Sequence, residues 1–131
     1  MTRRRIHTDL APAAIGPYSQ AIIYGNTLFC SGQLGLDKSG AKIVAGGAEA
    51  EARQALDNLR AVLAQAAMTL DDVVKTTIFL TDLADFETVN RTYSEYFKSP
   101  YPARSTVQVA ALPRGARVEI EAIAIKGDAE A

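Results

Sequence analysis

Residues 101–126 read YPARSTVQVAALPRGARVEIEAIAIK, and this stretch decides the fold because it contains two extended segments separated by a turn. The first segment covers residues 104–109 and the second covers residues 117–125. Pro113 and Gly115 lie between them, and both residue types are typical of turns. The pattern predicts that the two segments pair as a β-hairpin.

Polar and charged side chains recur at alternate positions of both segments. Side chains alternate between the two faces of a strand, so Arg104 and Thr106 share one face of the first strand. Glu119 and Glu121 share one face of the second. A hairpin would bring a guanidinium and two carboxylates onto one sheet. Two interpretations are open: these charges face solvent, or they form a polar pocket for a small charged ligand.

Length and charge describe a globular protein without a strongly charged partner. The chain has 131 residues, 48% of them hydrophobic, and a net charge of -1. We expect one domain that spans residues 1–131 and buries a core. The basic run at residues 3–5 has no aromatic residues between its charges, which favours a solvated edge. The sequence therefore argues against nucleic acid as a partner.

The cysteine and histidine content and the short apolar runs argue against several further classes of protein and of functional site. Cys30 has no second cysteine to pair with, and the N-terminus does not resemble a signal peptide, so we expect a cytoplasmic protein. Apolar runs such as residues 77–80 are far shorter than the roughly 20 residues that span a bilayer, which argues against a membrane protein. His7 is the single histidine, so the sequence predicts neither a metal site nor a Ser-His-Asp triad.

Hydrophobic periodicity predicts the element order β-β-β-α-β-α-β-β. Residues 48–68 carry an apolar stripe at helical spacing, and residues 73–80 are apolar on both faces, as in an interior strand. A second helix should follow residues 81–85, with its inner face marked by Phe86, Val89, Tyr93 and Phe97. Two helices cover one face of such a sheet. The uncovered apolar face predicts a homo-oligomer with pockets between its subunits.

Three further residues are candidates for a pocket. Gly16 precedes Pro17, and together they fix the backbone before Tyr18, which either packs or forms a pocket wall. Gly32 marks either an ordinary strand end, or a bulge where another group approaches the backbone. Asn90 lies on the apolar side of the second predicted helix, so its amide needs partners.

Seven segments together resemble the RidA (YjgF) family of reactive-intermediate deaminases. The resemblance runs from about residue 9 to residue 126 in the order and spacing of the family. The pairing of PARS with the downstream EIEAIA strand is its most specific part. The segments are AIGPYSQ (14–20), SGQ (31–33), QALDNL (54–59), VKTTIFL (74–80), VNRTY (89–93), YPARS (101–105) and VEIEAIA (118–124).

The resemblance implies a fold, an assembly and an activity. The implied fold is α+β and chorismate-mutase-like, a six-stranded mixed sheet with two helices on one face, assembled as a homotrimer with sites between subunits. The implied activity is hydrolysis of 2-imino acids, and of the enamines that tautomerise to them, to 2-keto acids and ammonia without a cofactor. By position, Arg104 resembles the carboxylate-binding arginine and Glu119 the acid that handles the attacking water. The remaining implied substrate-binding residues are Tyr18, Gly32, Asn90, Ser105 and Thr106.

The sequence departs from the family at one position and leaves other functions open. Many members carry cysteine where this chain has Thr106, and Cys30 belongs to another strand, which argues against thiol chemistry. A non-catalytic metabolite-binding or regulatory protein could use the same cleft between subunits. A ribonuclease has also been proposed for family members, but the near-neutral charge and the single His7 argue against it.

Overall fold

The computed structural model describes residues 2–127, and these residues form six strands and two α-helices in the expected order. The α+β class and the six-stranded mixed sheet are confirmed. The strands are β1 (Arg3–Ile6), β2 (Ala21–Tyr24), β3 (Thr27–Leu34), β4 (Val73–Leu80), β5 (Ala103–Gln108) and β6 (Val118–Ile125), and the helices are α1 (Gly47–Gln65) and α2 (Phe86–Tyr96).

The strands form one sheet in the order β1-β2-β3-β6-β4-β5. β4 and β5 run parallel, whereas every other neighbouring pair is antiparallel. The hairpin expected between β5 and β6 is therefore wrong, because β4 lies between them. Helix α2 carries the chain from the end of β4 back to the start of β5, which sets β5 parallel to β4 at the sheet edge. The chain then continues past β4, and β6 pairs with β3 and β4.

Helix α1 ends earlier than its sequence pattern predicts. Ala67 adopts a left-handed backbone with φ of 58°, and Met68 N–H donates to the carbonyl of Leu63 at 2.9 Å. The N–H of Ala67 donates to Ala64, which completes a Schellman motif at the helix end. The helix expected over residues 48–68 therefore ends at Gln65, and the N–H groups of Ala67 and Met68 bind carbonyls of its last turn.

Both helices pack on one face of the sheet. On this face Leu28, Ile78 and Ile120 are fully buried against α1 residues such as Leu56 and Leu59. Of the four residues expected to face inward from α2, Val89, Tyr93 and Phe97 are buried. Phe86 is 37% exposed, because it lies at the first turn of α2, beyond the core.

The opposite face of the sheet carries apolar side chains that the described residues leave uncovered. Phe29 is 50% exposed and Ile125 is 39% exposed, and Ile123 lies half-buried beside Phe29. We call this surface the open face. It confirms the expectation that two helices leave one apolar face of the sheet free. Neither helix within residues 2–127 has the length and hydropathy that crossing a membrane requires.

Candidate active site

A groove between α2 and β5 surrounds the guanidinium of Arg104. It encloses about 300 Å³ and is lined by Asn90, Tyr93, Ser94, Tyr101, Pro102 and Arg104. Arg104 reaches it because its side chain projects from β5 toward α2, the same side as buried Thr76 of the neighbouring strand β4. Asn90 lies half-buried in the same groove. The sequence-predicted residues Arg104 and Asn90 are thus brought together.

Two aromatic rings hold the guanidinium of Arg104. Its Cζ lies 4.9 Å from the ring centroid of Tyr93 and 5.6 Å from that of Phe86, distances typical of cation–π contacts. The Tyr93 hydroxyl hydrogen-bonds Thr76 Oγ1 at 2.8 Å, which fixes the ring in the core. Within residues 2–127 no carboxylate forms an ion pair with Arg104. Its charge is therefore free to bind an anionic ligand.

The two residues after Arg104 face in different directions. The side chain of Thr106 projects to the same side of β5 as Arg104, whereas Ser105 projects to the open face. There the Ser105 hydroxyl accepts a hydrogen bond from Lys75 Nζ at 3.0 Å. Only the backbone of Ser105 is therefore available to the Arg104 groove.

Glu119 occupies the open face beside Gly32. The register between β3 and β6 shifts between Cys30 and Gln33, so Gly32 lies in an irregular part of the ladder. A Cβ atom on Gly32 would lie 2.7 Å from Oε2 of Glu119 and 2.8 Å from its Cδ. The bulge with a close approach, one of the two interpretations of Gly32, is the one observed. A larger residue at position 32 would therefore displace the carboxylate of Glu119.

The surroundings of Glu119 raise the pKa of its carboxyl group. Burial raises the pKa of the Glu119 carboxyl, and the negative charge of Glu121 raises it further. The two side chains project from the same face of β6, two residues apart. A carboxyl group with a raised pKa is better matched to proton transfer near neutral pH than an ordinary glutamate.

The loop that carries Tyr18 is tied to the strand that contains Gly32. The hydroxyl of Ser31 donates to the carbonyl of Ser19 at 2.6 Å, and Ser31 N–H donates to Gln20 at 2.9 Å. Tyr18 is 55% exposed, and its hydroxyl accepts a hydrogen bond from Ile15 N–H at 3.2 Å. Tyr18 therefore lies outside the core of the single chain.

Arg104 and Glu119 project from opposite faces of the sheet. Arg104 is in register with Thr76, which contacts α2 through Tyr93. Glu119 is in register with Phe79, three residues further along β4 and therefore on the other face. The expected hairpin would have brought the guanidinium and the carboxylates onto one sheet; they do share one sheet, but β4 separates β5 from β6 and the two groups project from its opposite faces. We call Arg104 with its groove the arginine group, and Glu119 with Gly32 and the Tyr18 loop the glutamate group.

Comparison with known proteins identifies the family. The sequence model of the family described as endoribonuclease L-PSP matches residues 8–126. The chain belongs to this family, the RidA family. A human relative named 2-iminobutanoate/2-iminopropanoate deaminase is 53% identical over 127 residues, which are 97% of this chain and 93% of the relative. The resemblance found in the sequence is thereby confirmed.

Solved structures of RidA-family relatives share the fold. RidA from the Antarctic bacterium Psychrobacter sp. superimposes with a TM-score of 0.90 at 47% identity, covering 94% of this chain and 99% of its own. TdcF from E. coli, crystallised with bound serine, gives a TM-score of 0.90 at 41% identity, covering 95% and 99%. At these identities and coverages the RidA fold is shared along nearly the whole chain.

Sequence reasoning missed the aromatic contacts of Arg104. It assigned Phe86 and Tyr93 to the core face of a helix, and it gave Tyr101 no role in a pocket. Phe86 at the first helical position, directly after the turn that ends β4, was the available signal. A large aromatic residue at that position packs at a helix end, where an edge-strand side chain can reach it.

Proposed function

We propose that this protein is a cofactor-independent hydrolase that converts 2-imino acids, and the enamines in equilibrium with them, to 2-keto acids and ammonia. The names of the curated relatives support this activity and suggest small substrates such as 2-iminobutanoate and 2-iminopropanoate. One observation carries the proposal: the guanidinium of Arg104 has no ion-pair partner in the described residues and borders a groove of about 300 Å³. A planar guanidinium binds a carboxylate through two parallel hydrogen bonds.

We also propose that each site forms between subunits of a homotrimer. The open face exposes Phe29 and Ile125, and burying such apolar area contributes roughly 25 cal/mol per Å² to association. The position of Arg104 and Glu119 on opposite faces supports this arrangement, because only a second chain can bring the two groups together. The arginine group of one subunit would then meet the glutamate group of the next.

The reaction follows from these two groups. Arg104 binds the substrate carboxylate and fixes the C=N carbon for attack, and such orientation supplies a large part of a barrier reduction. Glu119 of the partner subunit accepts a proton from water as the water oxygen bonds to C2 of the protonated imine. The carboxyl then returns that proton to nitrogen. The C–N bond breaks with its electron pair going to nitrogen, while the C2 hydroxyl gives its proton to Glu119 and becomes the carbonyl of the 2-keto acid. That proton passes to the departing ammonia, which leaves as ammonium. One water is consumed, and no redox change occurs.

The other candidate residues have supporting roles in this proposal. Gly32 leaves the space that the Glu119 carboxylate occupies. Asn90 offers its amide inside the groove of Arg104. Tyr18 forms a wall of the cleft on the side of the subunit that supplies Glu119. The backbone of Ser105 and Thr106 runs along the substrate on the side of the subunit that supplies Arg104. Serine bound in TdcF is compatible with a ligand of this size and charge.

Subunit mixing tests the proposed function and the shared site together. Arg104→Ala and Glu119→Gln are each expected to reduce the release of 2-keto acid, from imines that a threonine dehydratase produces in situ, to the rate of uncatalysed hydrolysis. The two inactive variants are then unfolded together, refolded as mixed trimers, and assayed again. Random assembly gives each site an intact Arg104 and an intact Glu119 in about one quarter of cases, so about a quarter of the activity should return.

The outcomes separate the possible failures. Mixed trimers without activity would contradict a site built from two chains. Full activity of Arg104→Ala alone would contradict the binding of the substrate carboxylate by Arg104. Binding of a 2-keto acid without imine turnover, unaffected by Glu119→Gln, would contradict the enzymatic function. It would favour the alternative function, a non-catalytic metabolite-binding or regulatory protein. The proposal further includes one domain over residues 1–131, a cytoplasmic location, and no metal, membrane or nucleic acid as partner.

A further inference from the structure

The guanidinium of Arg104 is held in place without using its hydrogen-bond donors. In the part of the chain that the structure describes, the guanidinium groups that donate hydrogen bonds to protein atoms belong to Arg53 and Arg114, and that of Arg104 is not among them. Its contacts are instead the rings of Tyr93 and Phe86, whose centroids lie 4.9 Å and 5.6 Å from Cζ. The N–H donors of the fork therefore remain available to a ligand.

The two rings are fixed in different ways. Tyr93 is buried, and its hydroxyl is hydrogen-bonded to Oγ1 of buried Thr76 at 2.8 Å. Phe86 is 37% exposed and occupies the first position of α2. A side chain at a helix start takes its place from the backbone that leads into the helix. The position of the Phe86 ring therefore depends on the preceding turn over Leu83–Asp85.

A hydrogen bond ties this turn to the strand that carries Arg104. Oε1 of Gln108 accepts a hydrogen bond from the N–H of Leu83 at 2.8 Å. Gln108 lies on β5, on the same side of the strand as Arg104, and is in register with Leu80 at the end of β4. The strand that carries the guanidinium thus also anchors the turn that places Phe86 over it.

We propose that Phe86 is a positioning residue, which holds the guanidinium of Arg104 in the orientation that binds the substrate carboxylate, and that Gln108 acts through Phe86. The inference rests on the proposed function and adds two residues to the same site. Binding through two parallel hydrogen bonds is stronger when the fork is fixed beforehand. An ion pair within the chain would also fix the side chain, but it would occupy the donors that the substrate needs. An aromatic ring restricts the guanidinium and leaves those donors free.

The first test compares two replacements of Phe86. Phe86→Leu removes the aromatic ring and should raise KM for 2-iminobutanoate about threefold to tenfold, with kcat nearly unchanged. Phe86→Tyr keeps a ring and should retain the KM of the natural protein. Isothermal titration calorimetry with 2-oxobutanoate, the corresponding 2-keto acid, provides a second readout that needs no turnover. Its Kd should rise by a similar factor in Phe86→Leu and should stay unchanged in Phe86→Tyr.

The second test asks whether Gln108 acts through Phe86. Gln108→Met removes the acceptor of the Leu83 N–H and should raise KM in the same direction by a smaller factor. Combined with Phe86→Leu it should raise KM no further, because the ring that it positions is already absent. Gln65→Met, at the exposed end of α1, is the matched control and should keep the natural KM. Gln108 is exposed, so this variant also tests the inference if Phe86→Leu folds poorly.

The outcomes separate a positioning role from a structural one. A natural KM in Phe86→Leu, whatever its Tm, would overturn the inference, and so would equal losses in Phe86→Leu and Phe86→Tyr. Additive effects of Phe86→Leu and Gln108→Met would overturn the role of Gln108. Each of these results leaves the deaminase intact, provided that Arg104→Ala is inactive. If the natural protein neither hydrolyses 2-iminobutanoate nor binds 2-oxobutanoate, the proposed function fails and the inference fails with it.

Discussion

Gly32 and Glu119 are packed so closely that a Cβ atom at position 32 would lie 2.7 Å from Oε2 and 2.9 Å from Cγ of Glu119. Contacts this short are not tolerated, so any side chain at position 32 must displace the carboxylate. The absence of a side chain on β3 thereby fixes where the acid on β6 can lie.

Gly32→Ala should lower kcat by about 10²-fold, because displacing a catalytic group by about 1 Å costs roughly that much. KM should change little, since Arg104 lies on the other face of the sheet. The measurement is the rate of 2-keto acid release, with Tm recorded to confirm folding. Gly127→Ala is the matched control, because a Cβ atom there meets nothing within 4 Å. A kcat equal to that of the natural protein would show that Glu119 does not act from its present position.

Arg104→Lys keeps the positive charge but loses the planar fork and its contacts with Phe86 and Tyr93. The hydrogen bonds of a charged pair contribute about 1.5–3 kcal/mol, so kcat/KM should fall roughly 10- to 100-fold, chiefly through KM. Steady-state kinetics with a small 2-imino acid provides the measurement. Arg91→Lys, on the exposed side of α2, should leave both constants unchanged. Equal losses in the two variants would contradict a specific role of the Arg104 guanidinium in binding the substrate carboxylate.

The pH profile should respond to Glu121. A general base acts when ionised, so the raised pKa of Glu119 places the acidic limb of kcat/KM above the usual range of a glutamate. Glu121→Gln removes the neighbouring negative charge, which lowers the pKa of Glu119 and moves this limb to lower pH. The limb should return only part of the way, because burial is the larger cause of the shift. A limb that stays in place, or moves to higher pH, would argue that another group controls it.

A charge on the open face should dissociate the assembly. Phe29→Lys puts an ammonium group in the middle of the apolar surface that is proposed to be buried between subunits. The expected result is a smaller particle in light scattering coupled to size-exclusion chromatography, with circular dichroism like that of the natural chain. Ala64→Lys, on the exposed side of α1, should keep the original mass. An unchanged mass for Phe29→Lys would contradict association through this face.

The sequence was sufficient for the element order and for the two helices on one face, because strand alternation and helical spacing are local patterns. It was insufficient for the pairing of β5 and β6. The segment between these strands, residues 109–117, is long enough either to form a hairpin turn or to cross over another strand. Strand pairing is decided by the whole sheet, and here α2 places β5 on the far side of β4.

Motifs identified the candidate residues, but their arrangement required coordinates. Arg104 and Glu119 could be selected from residue type and context, yet the face on which each lies depends on the register with β4. The groove around Arg104 could not be predicted, because it depends on where α2 lies relative to β5. The roles of Arg104 and Glu119 in catalysis remain predictions for the experiments above.

The separation of Arg104 from Glu119 by the thickness of the sheet has a consequence for how this protein is made and stored. Under the proposed arrangement a newly synthesised chain can fold completely and still be inert, since it carries only complementary halves of different sites. Catalytic competence would then arise at the moment of association. Specific activity should depend on protein concentration. Extreme dilution should dissociate the subunits and abolish the activity without unfolding the chains.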